Sequence, residues 1–479
     1  MRAHSTRILA GSLLAAFAGA GFAGGPPGSS APRLVPVVTT NLVVVTNLVV
    51  VTNYVVADAQ SAASSAPAAA GSAGAGDNPF GVLWWNEGLN YRLTQRIHMG
   101  KTNEAGIPWV SERISVTGRI GLKAALDGAT FVSAKGQQPV PTDREVRTFR
   151  FYSLGDFTWK RPVYYKLELG SVNDEFYLHE AYLRFKDVPY AKNITFGYIG
   201  APLTMENLMA FGDLTFMEAA APAQAFGPGN RMALQFDGTW LDQRMSFQGG
   251  FYGVGQDVKF NFGDASEQLA RGMFRVTGLP IYEDSADRYR LLHLGVALSH
   301  VFSDSSSIRY QARPESHLAP VLVDTGEIQA QNASQLGLEA AYARGSLSLQ
   351  GELTGSWVGD TASGSRVFWG AYAYASWFLT GEHRPYDRAA GVFSRLKPEE
   401  RIKPLHGQWG ALEVGVRGSY LDLSDGPVRG GRMYELMPGL NWYWSQYLRL
   451  QANYGWAMVR DGPSPGDLHL FQVRLQLVY

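Results

Sequence analysis

The chain has 479 residues, 46% hydrophobic and 12% aromatic, enough for a large core in one large domain or several smaller ones. Lys and Arg total 42 and Asp and Glu total 42, so the formal charge is zero, and neither a nucleic-acid-binding surface nor an acidic tail is suggested. The lack of cysteine excludes disulfide frameworks, thiolate metal sites and cysteine nucleophiles, whereas 54 Gly, 23 Tyr, 24 Phe and 12 Trp favour strands joined by tight corners.

At the start, Arg2 and Arg7 precede the apolar run ILAGSLLAAFAGAGFAGG, and small residues from Ala18 to Ala23 suit a signal peptidase. The pattern predicts a secretory signal over residues 1–25. A membrane-anchoring helix fits less well, because the run is rich in Gly and Ala and no charged stop-transfer flank follows. Next come three copies of a six-residue unit starting at Thr40, Thr46 and Thr52, in TNLVVVTNLVVVTNYVVA. The unit is β-prone, but three copies are too few to bury a stacked core, and no function is assigned to it. Residues 58–76, DAQSAASSAPAAAGSAGAG, have the composition of a flexible linker. Residues 26–77 therefore form a repeat and linker, and the folded domain is expected over 78–479.

From Trp84 onward, short alternating segments are separated by Gly, Asp, Ser and Pro. In VYYKLELG, Val163, Tyr165, Leu167 and Leu169 share one face and Lys166 and Glu168 the other. In SLSLQGELTGSW, Leu347, Leu349, Leu353 and Trp357 oppose Ser348, Gln350, Glu352 and Thr354. ALEVGVRGSY sets Leu412, Val414, Val416 and Tyr420 against Glu413, Arg417 and Ser419, and YLRLQANYGWAM sets Leu448, Leu450, Ala452, Tyr454, Trp456 and Met458 against Arg449, Gln451 and Asn453. A soluble sandwich also alternates. Many of these strands, however, run to about ten residues, the length of a tilted membrane-spanning strand. Aromatics such as Trp357, Trp442, Trp444, Trp456 and Tyr479 also fall at strand ends, where an interfacial girdle places them.

The pattern predicts an all-β fold, a closed antiparallel transmembrane β-barrel with its apolar face turned to outer-membrane lipid and its wet face to a water-filled lumen. The terminal segment LFQVRLQLVY, with Phe471, Val473, Leu475, Leu477 and Tyr479 on one face, is the expected closing strand, paired with the first. A secreted soluble β-sandwich or matrix protein is the alternative.

Four longer stretches are more specific: LTFMEAAAPAQAFGPGNRM (214–232), YQARPESHLAPVLVDTGEI (310–328), FLTGEHRPYDRAAGVFSRLKP (378–398) and GLNWYWS (439–445). In order, from about Ile114 to Tyr479, they resemble the phosphate-selective porin O and P family. The resemblance implies a barrel of about sixteen strands in the bacterial outer membrane, commonly trimeric, conducting small anions and in some members binding phosphate. It also implies an inward-folded constriction loop, to whose motif Glu206, Thr215, Phe216, Met217 and Glu218 correspond. Gly200 and Ala201 stand where the family often carries a basic residue, and Ala219 where many relatives carry Arg or Ser. The expectation is weak anion selectivity with little phosphate block.

Selectivity in a pore comes from the charges lining it. Alternation places Arg150, Lys166, Arg231, Arg244, Arg271, Arg275, Arg309, Arg313, Arg417, Arg449 and Arg474 on wet faces, together with Glu168, Glu180, Glu339, Glu352, Glu413 and Glu435. Arginine suits oxyanions because its planar fork grips two oxygens. An enzyme is not expected: HExxH and GxxxxGK[ST] are missing, and strict alternation puts His179 and Glu180 on opposite faces, so neither a metal nor a cofactor is expected.

Overall fold

The computed structural model describes residues 82–85, 89–102, 108–172, 175–253, 271–285, 288–302, 306–360 and 364–479. The expected signal, repeat and linker lie outside the described residues. Sixteen strands form the barrel wall. They are β1 Pro108–Ala134, β2 Asp143–Thr158, β3 Pro162–Val172, β4 Glu175–Val188, β5 Lys192–Gly200, β6 Asn230–Trp240, β7 Met245–Tyr252 and β8 Arg271–Ser285. The second half comprises β9 Arg288–Val301, β10 Ile328–Arg344, β11 Leu347–Asp360, β12 Gly364–Phe378, β13 Ala411–Asp425, β14 Val428–Tyr443, β15 Leu448–Arg460 and β16 Gly466–Val478.

Each strand pairs antiparallel with the next, and β16 pairs with β1 from Asp467 opposite Ala134 to Val478 opposite Lys123. Tyr479 completes the seam by exchanging two 2.7 Å backbone hydrogen bonds with Leu122. Closure leaves no unpaired strand edge in lipid, where each orphan amide would cost several kcal/mol. Gly121 is needed at the seam: a Cβ there would meet the Tyr152 ring at 2.2 Å and the Tyr479 carbonyl at 2.3 Å, and the Tyr152 hydroxyl donates to that carbonyl at 2.9 Å. Strands Val82–Trp85 and Leu89–Thr102 lie outside the ring, the second pairing with β1 from Pro108 to Ile120, beyond the point where Tyr479 sits.

The period-two pattern sorts the side chains. On β11, Leu347, Leu349, Leu353 and Trp357 are 39–43% exposed, whereas Ser348, Gln350, Glu352 and Thr354 are at most 6% exposed. Apolar faces outward and polar faces inward is the reverse of a sandwich, so the soluble alternative is overturned. Trp369 and Trp377 lie on the outer face of β12 with Ala371, Ala373 and Ala375 between them. Eight residues of strand separate the two rings by ~26 Å along the strand, or ~20 Å in height at the ~40° tilt of such barrels, within their ~25 Å apolar band. Trp369 packs on Tyr420 at 4.9 Å, Tyr420 on Tyr434 at 4.8 Å and Trp456 on His469 at 5.7 Å toward one rim, and Trp442 packs on Trp444 at 5.3 Å toward the rim that holds Tyr479.

We call the rim at Tyr479 the near rim. Its connections are tight turns except for residues 379–410, and at the far rim three connections are long: 201–229, 253–270 and 302–327.

Candidate pore lumen

Three of the long connections bond to the wet faces of the wall. Segment 201–229 carries two short helices, α1 Met205–Leu208 and α2 Ala221–Phe226. The opening amides of a helix have no internal partner. Here carboxylates supply them: Glu352 of β11 accepts from the Met205 and Glu206 amides at 2.7 and 3.1 Å, Glu206 from Ala220 at 2.7 Å, and Glu315 from Ala221 at 3.0 Å. Between the helices the backbone crosses to strands β13 to β16. Met217 donates to Asn453 at 2.9 Å, the Thr215 carbonyl accepts from Asn441 at 2.8 Å, and the Leu214 carbonyl accepts from Arg449 at 2.9 Å.

The arginines of this half are matched. Arg417 donates from Nε to Glu315 at 2.8 Å and from Nη1 to Glu206 at 3.3 Å, and its guanidinium lies 4.4 Å from the Phe216 ring centroid. Arg474 forks onto Asp127 at 2.6 and 2.7 Å and reaches Glu218 at 2.6 Å. Arg147 grips the same Glu218 at 2.8 and 3.1 Å. Burial alone would raise the Glu218 carboxyl, but the two guanidinia overcome it and hold the group well below the usual carboxylate range. For Glu206, burial outweighs Arg417 and pushes the carboxyl up.

Segment 379–410 enters from the near rim. Arg275 of β8 holds Glu339 at 2.9 Å and also the Ala390 and Gly391 carbonyls at 3.1 and 2.7 Å. His293 of β9 bonds the Tyr386 hydroxyl through Nδ1 and faces Glu339 through Nε2 at 3.2 Å. Val392 and Phe393 share one buried apolar cluster with Met205, Met209 and Leu214, so the segments from opposite rims meet.

The near half differs in charge. Arg384, Arg395 and Arg449 have no carboxylate within ion-pair distance among the described residues. Arg384 donates to Gln350 at 3.3 Å and to the Tyr374 hydroxyl, lies 4.1 Å from the Phe393 ring, and leaves Nη2 without a partner. Arg449 meets Gln476 at 2.6 Å, Gln451 at 3.1 Å and Tyr443 at 3.2 Å. Arg395 donates to the Gln446 and Val478 carbonyls at 3.2 and 3.0 Å, and burial pulls its guanidinium below the ordinary value. A cavity of about 340 Å³ at this rim is lined by Arg119, Lys123, Arg395 and Lys397, with Asp213, pushed up by burial, as its acidic member.

Among the sequence-selected cations, Arg150, Lys166, Arg231, Arg271, Arg275, Arg417, Arg449 and Arg474 lie on the inner faces of strands. Arg150 and Lys166 share Glu168 with Lys123, and Lys166 also reaches Glu180. Arg309 and Arg313 do not belong to strand faces as alternation had them. Both sit on segment 302–327, Arg309 paired with Asp324 and Arg313 bonded to the Ala319 carbonyl. Arg244 is exposed in the turn between β6 and β7.

His179 and Glu180 were expected on opposite faces, but both point inward. A bulge sets Glu168 opposite Glu180 and Leu169 opposite Leu178, so Glu180 meets Lys166 while His179 meets Arg150 at 2.6 Å. A second bulge, where Ala125 faces Thr148 and Leu126 faces Val146, turns Arg147 inward. Strict alternation missed Arg147 for that reason. It missed Glu315, Arg384 and Arg395 because they ride on loops, for which period two carries no information. No cluster of metal-ligating side chains occurs among the described residues.

Comparison with known proteins adds the family. The model of the family described as phosphate-selective porin O and P matches residues 120–479. An uncharacterized protein of Caulobacter vibrioides is 30% identical over 324 residues, 65% of this chain and 62% of that one. Porin O of Pseudomonas aeruginosa is 25% identical over 262 residues, 47% of this chain and 56% of the relative. The chain thus spans about three fifths of the length of these curated relatives. An anion-selective porin from Comamonas acidovorans superposes with a TM-score of 0.46 at 13% identity, covering 76% of this chain and all of that one.

Proposed function

The chain belongs to the phosphate-selective porin O and P family of bacterial outer-membrane proteins, and from that premise we propose that it forms a water-filled channel for passive diffusion of small anions, without catalysis, cofactor or energy source. The observation that carries the reading is the set of arginines without a carboxylate at ion-pair distance, the buried Arg384 and Arg449 and the half-buried Arg395. In a narrow, partly desolvated path an unmatched cation attracts a passing anion, whereas a matched one mostly fills space. Arg449 and Arg313 are the permeant contacts among the sequence-selected residues, and Arg150, Lys166 and Lys123 add a surplus positive charge beside Glu168 and Glu180. Arg275, Arg417 and Arg474 instead tether the inserted segments, and Arg231 lines the wall. Segment 201–229 acts as the constriction, held by Glu206, Thr215, Phe216, Met217 and Glu218.

Short turns of such barrels face the periplasm, so the near rim with its unmatched cations is the periplasmic one. The mature protein loses residues 1–25, carries 26–77 as a tethered segment and assembles as a homotrimer. With Gly200 and Ala201 at the neck of the constriction loop, phosphate is a permeant ion rather than a tightly held one. Reversal potentials across planar bilayers under a KCl gradient, followed by phosphate titration, test this. Chloride preference without block at micromolar phosphate is expected, and potassium preference or micromolar block contradicts it.

A further inference from the structure

The far rim holds a pocket of different chemistry from the lumen. The β1–β2 connection reads GQQPVP (136–141) and segment 302–327 contains Leu318, Ala319, Pro320 and Leu322. With Arg313 and Ser464 these stretches enclose a cavity of about 410 Å³, within the range of small-molecule sites. Its walls are Pro139, Val140, Pro141, Leu318, Pro320 and Leu322, and the prolines fix φ, so the shape is set before anything binds.

Arg313 is the one charged residue among those lining the cavity. Its Nη1 is tied to the Ala319 carbonyl, which orients the fork, and no carboxylate is within ion-pair distance of it among the described residues. Gln137, 9% exposed on the same wall, has an amide oxygen without a partner. We propose that this pocket binds a small organic carboxylate whose apolar body fills the proline and leucine walls and whose carboxylate meets Arg313.

The walls decide against inorganic phosphate. Stripping water from a compact, strongly hydrated oxyanion against six apolar residues costs more than one guanidinium returns, whereas an amphipathic monoanion buries carbon there and needs a single fork. The pocket also adjoins the inserted segments. The Arg313 amide donates to Gln224 of α2 at 3.4 Å, and Glu315, two residues on, holds Arg417. A ligand held here stands at the channel mouth. That loading role rests on the porin reading, but binding itself does not.

The test uses the purified full chain in detergent micelles and calorimetric titration with benzoate, benzyl alcohol and inorganic phosphate. Saturable benzoate binding is expected, with benzyl alcohol and phosphate each weaker by about tenfold or more, the size of one lost charge-assisted hydrogen bond. Arg313→Gln should weaken benzoate by about tenfold. Ser464→Trp, which fills the cavity from its rim and leaves Arg313 in place, should weaken it comparably, so a folding defect in one variant leaves the other decisive. Equal binding of benzoate and benzyl alcohol, or two variants that both bind like wild type, overturns the site. The same preparation is inserted in bilayers with KCl. Channels without benzoate binding refute this inference alone, and benzoate binding without channels refutes the porin reading alone.

Discussion

The two halves of the lumen hold their arginines differently. Toward segment 201–229, Arg147, Arg417 and Arg474 each meet carboxylates, and those carboxylates in turn cap helix amides or grip the loop. Toward the near rim, Arg384, Arg395 and Arg449 meet only carbonyls, amides and phenols. A buried cation in the first setting is structural, since removing it strands a buried carboxylate. In the second setting no carboxylate stands within ion-pair distance, and the proposed role of the charge is to act on what enters the pore. A net charge of zero over the chain therefore says nothing of how the lumen's arginines are partnered.

The contrast breaks most sharply at Arg417. Arg417→Met leaves Glu206 and Glu315 buried beside Glu435 with no counterion, and a broken buried pair costs about 3–5 kcal/mol. Thermal unfolding in detergent should fall by several degrees, whereas Arg449→Gln, which strands no carboxylate, should shift it far less. Equal losses in the two variants would erase the distinction between the halves.

A smaller effect concerns acid. The Glu218 carboxyl is held low in the folded state, so its contribution is fully present above the unfolded carboxyl value of about 4.3 and is lost progressively as pH falls below it. The difference in melting temperature between wild type and Glu218→Gln should therefore narrow as pH drops from about 6 to below 4, and a constant difference would mean that Glu218 is not held by Arg147 and Arg474 as an anion. The smallest effect belongs to Arg309, whose pair with Asp324 is open to solvent. Arg309→Ala should leave both melting temperature and chloride selectivity unchanged, and a measurable shift in selectivity would place it in the ion path.

The wall was legible in the sequence because a strand has a fixed period: Leu347 to Trp357 and Leu448 to Met458 announce their faces residue by residue. The seam between LFQVRLQLVY and the first wall strand was legible for the same reason, since a barrel in lipid tolerates no edge. Bulges hid Arg147 and exchanged the expected face of one member of the His179 and Glu180 pair, because one extra residue shifts everything beyond it by half a period. The pairing of charges was hidden more deeply. Glu315 and Arg417 stand 102 residues apart, and Arg474 and Asp127 stand 347 apart, on elements whose register only the closed ring defines. Whether an arginine is spent or unspent is decided by such partners.

We propose that the unmatched arginines of the near half set the selectivity. The most direct test is the chloride-to-potassium permeability ratio, from reversal potentials under a KCl gradient, of wild type and the double variant Arg384→Gln with Arg449→Gln. Wild type should favour chloride, and the double variant should move to near indifference while keeping its heat-resistant fold. A cation-selective wild type, or a double variant as chloride-selective as wild type, would contradict the account.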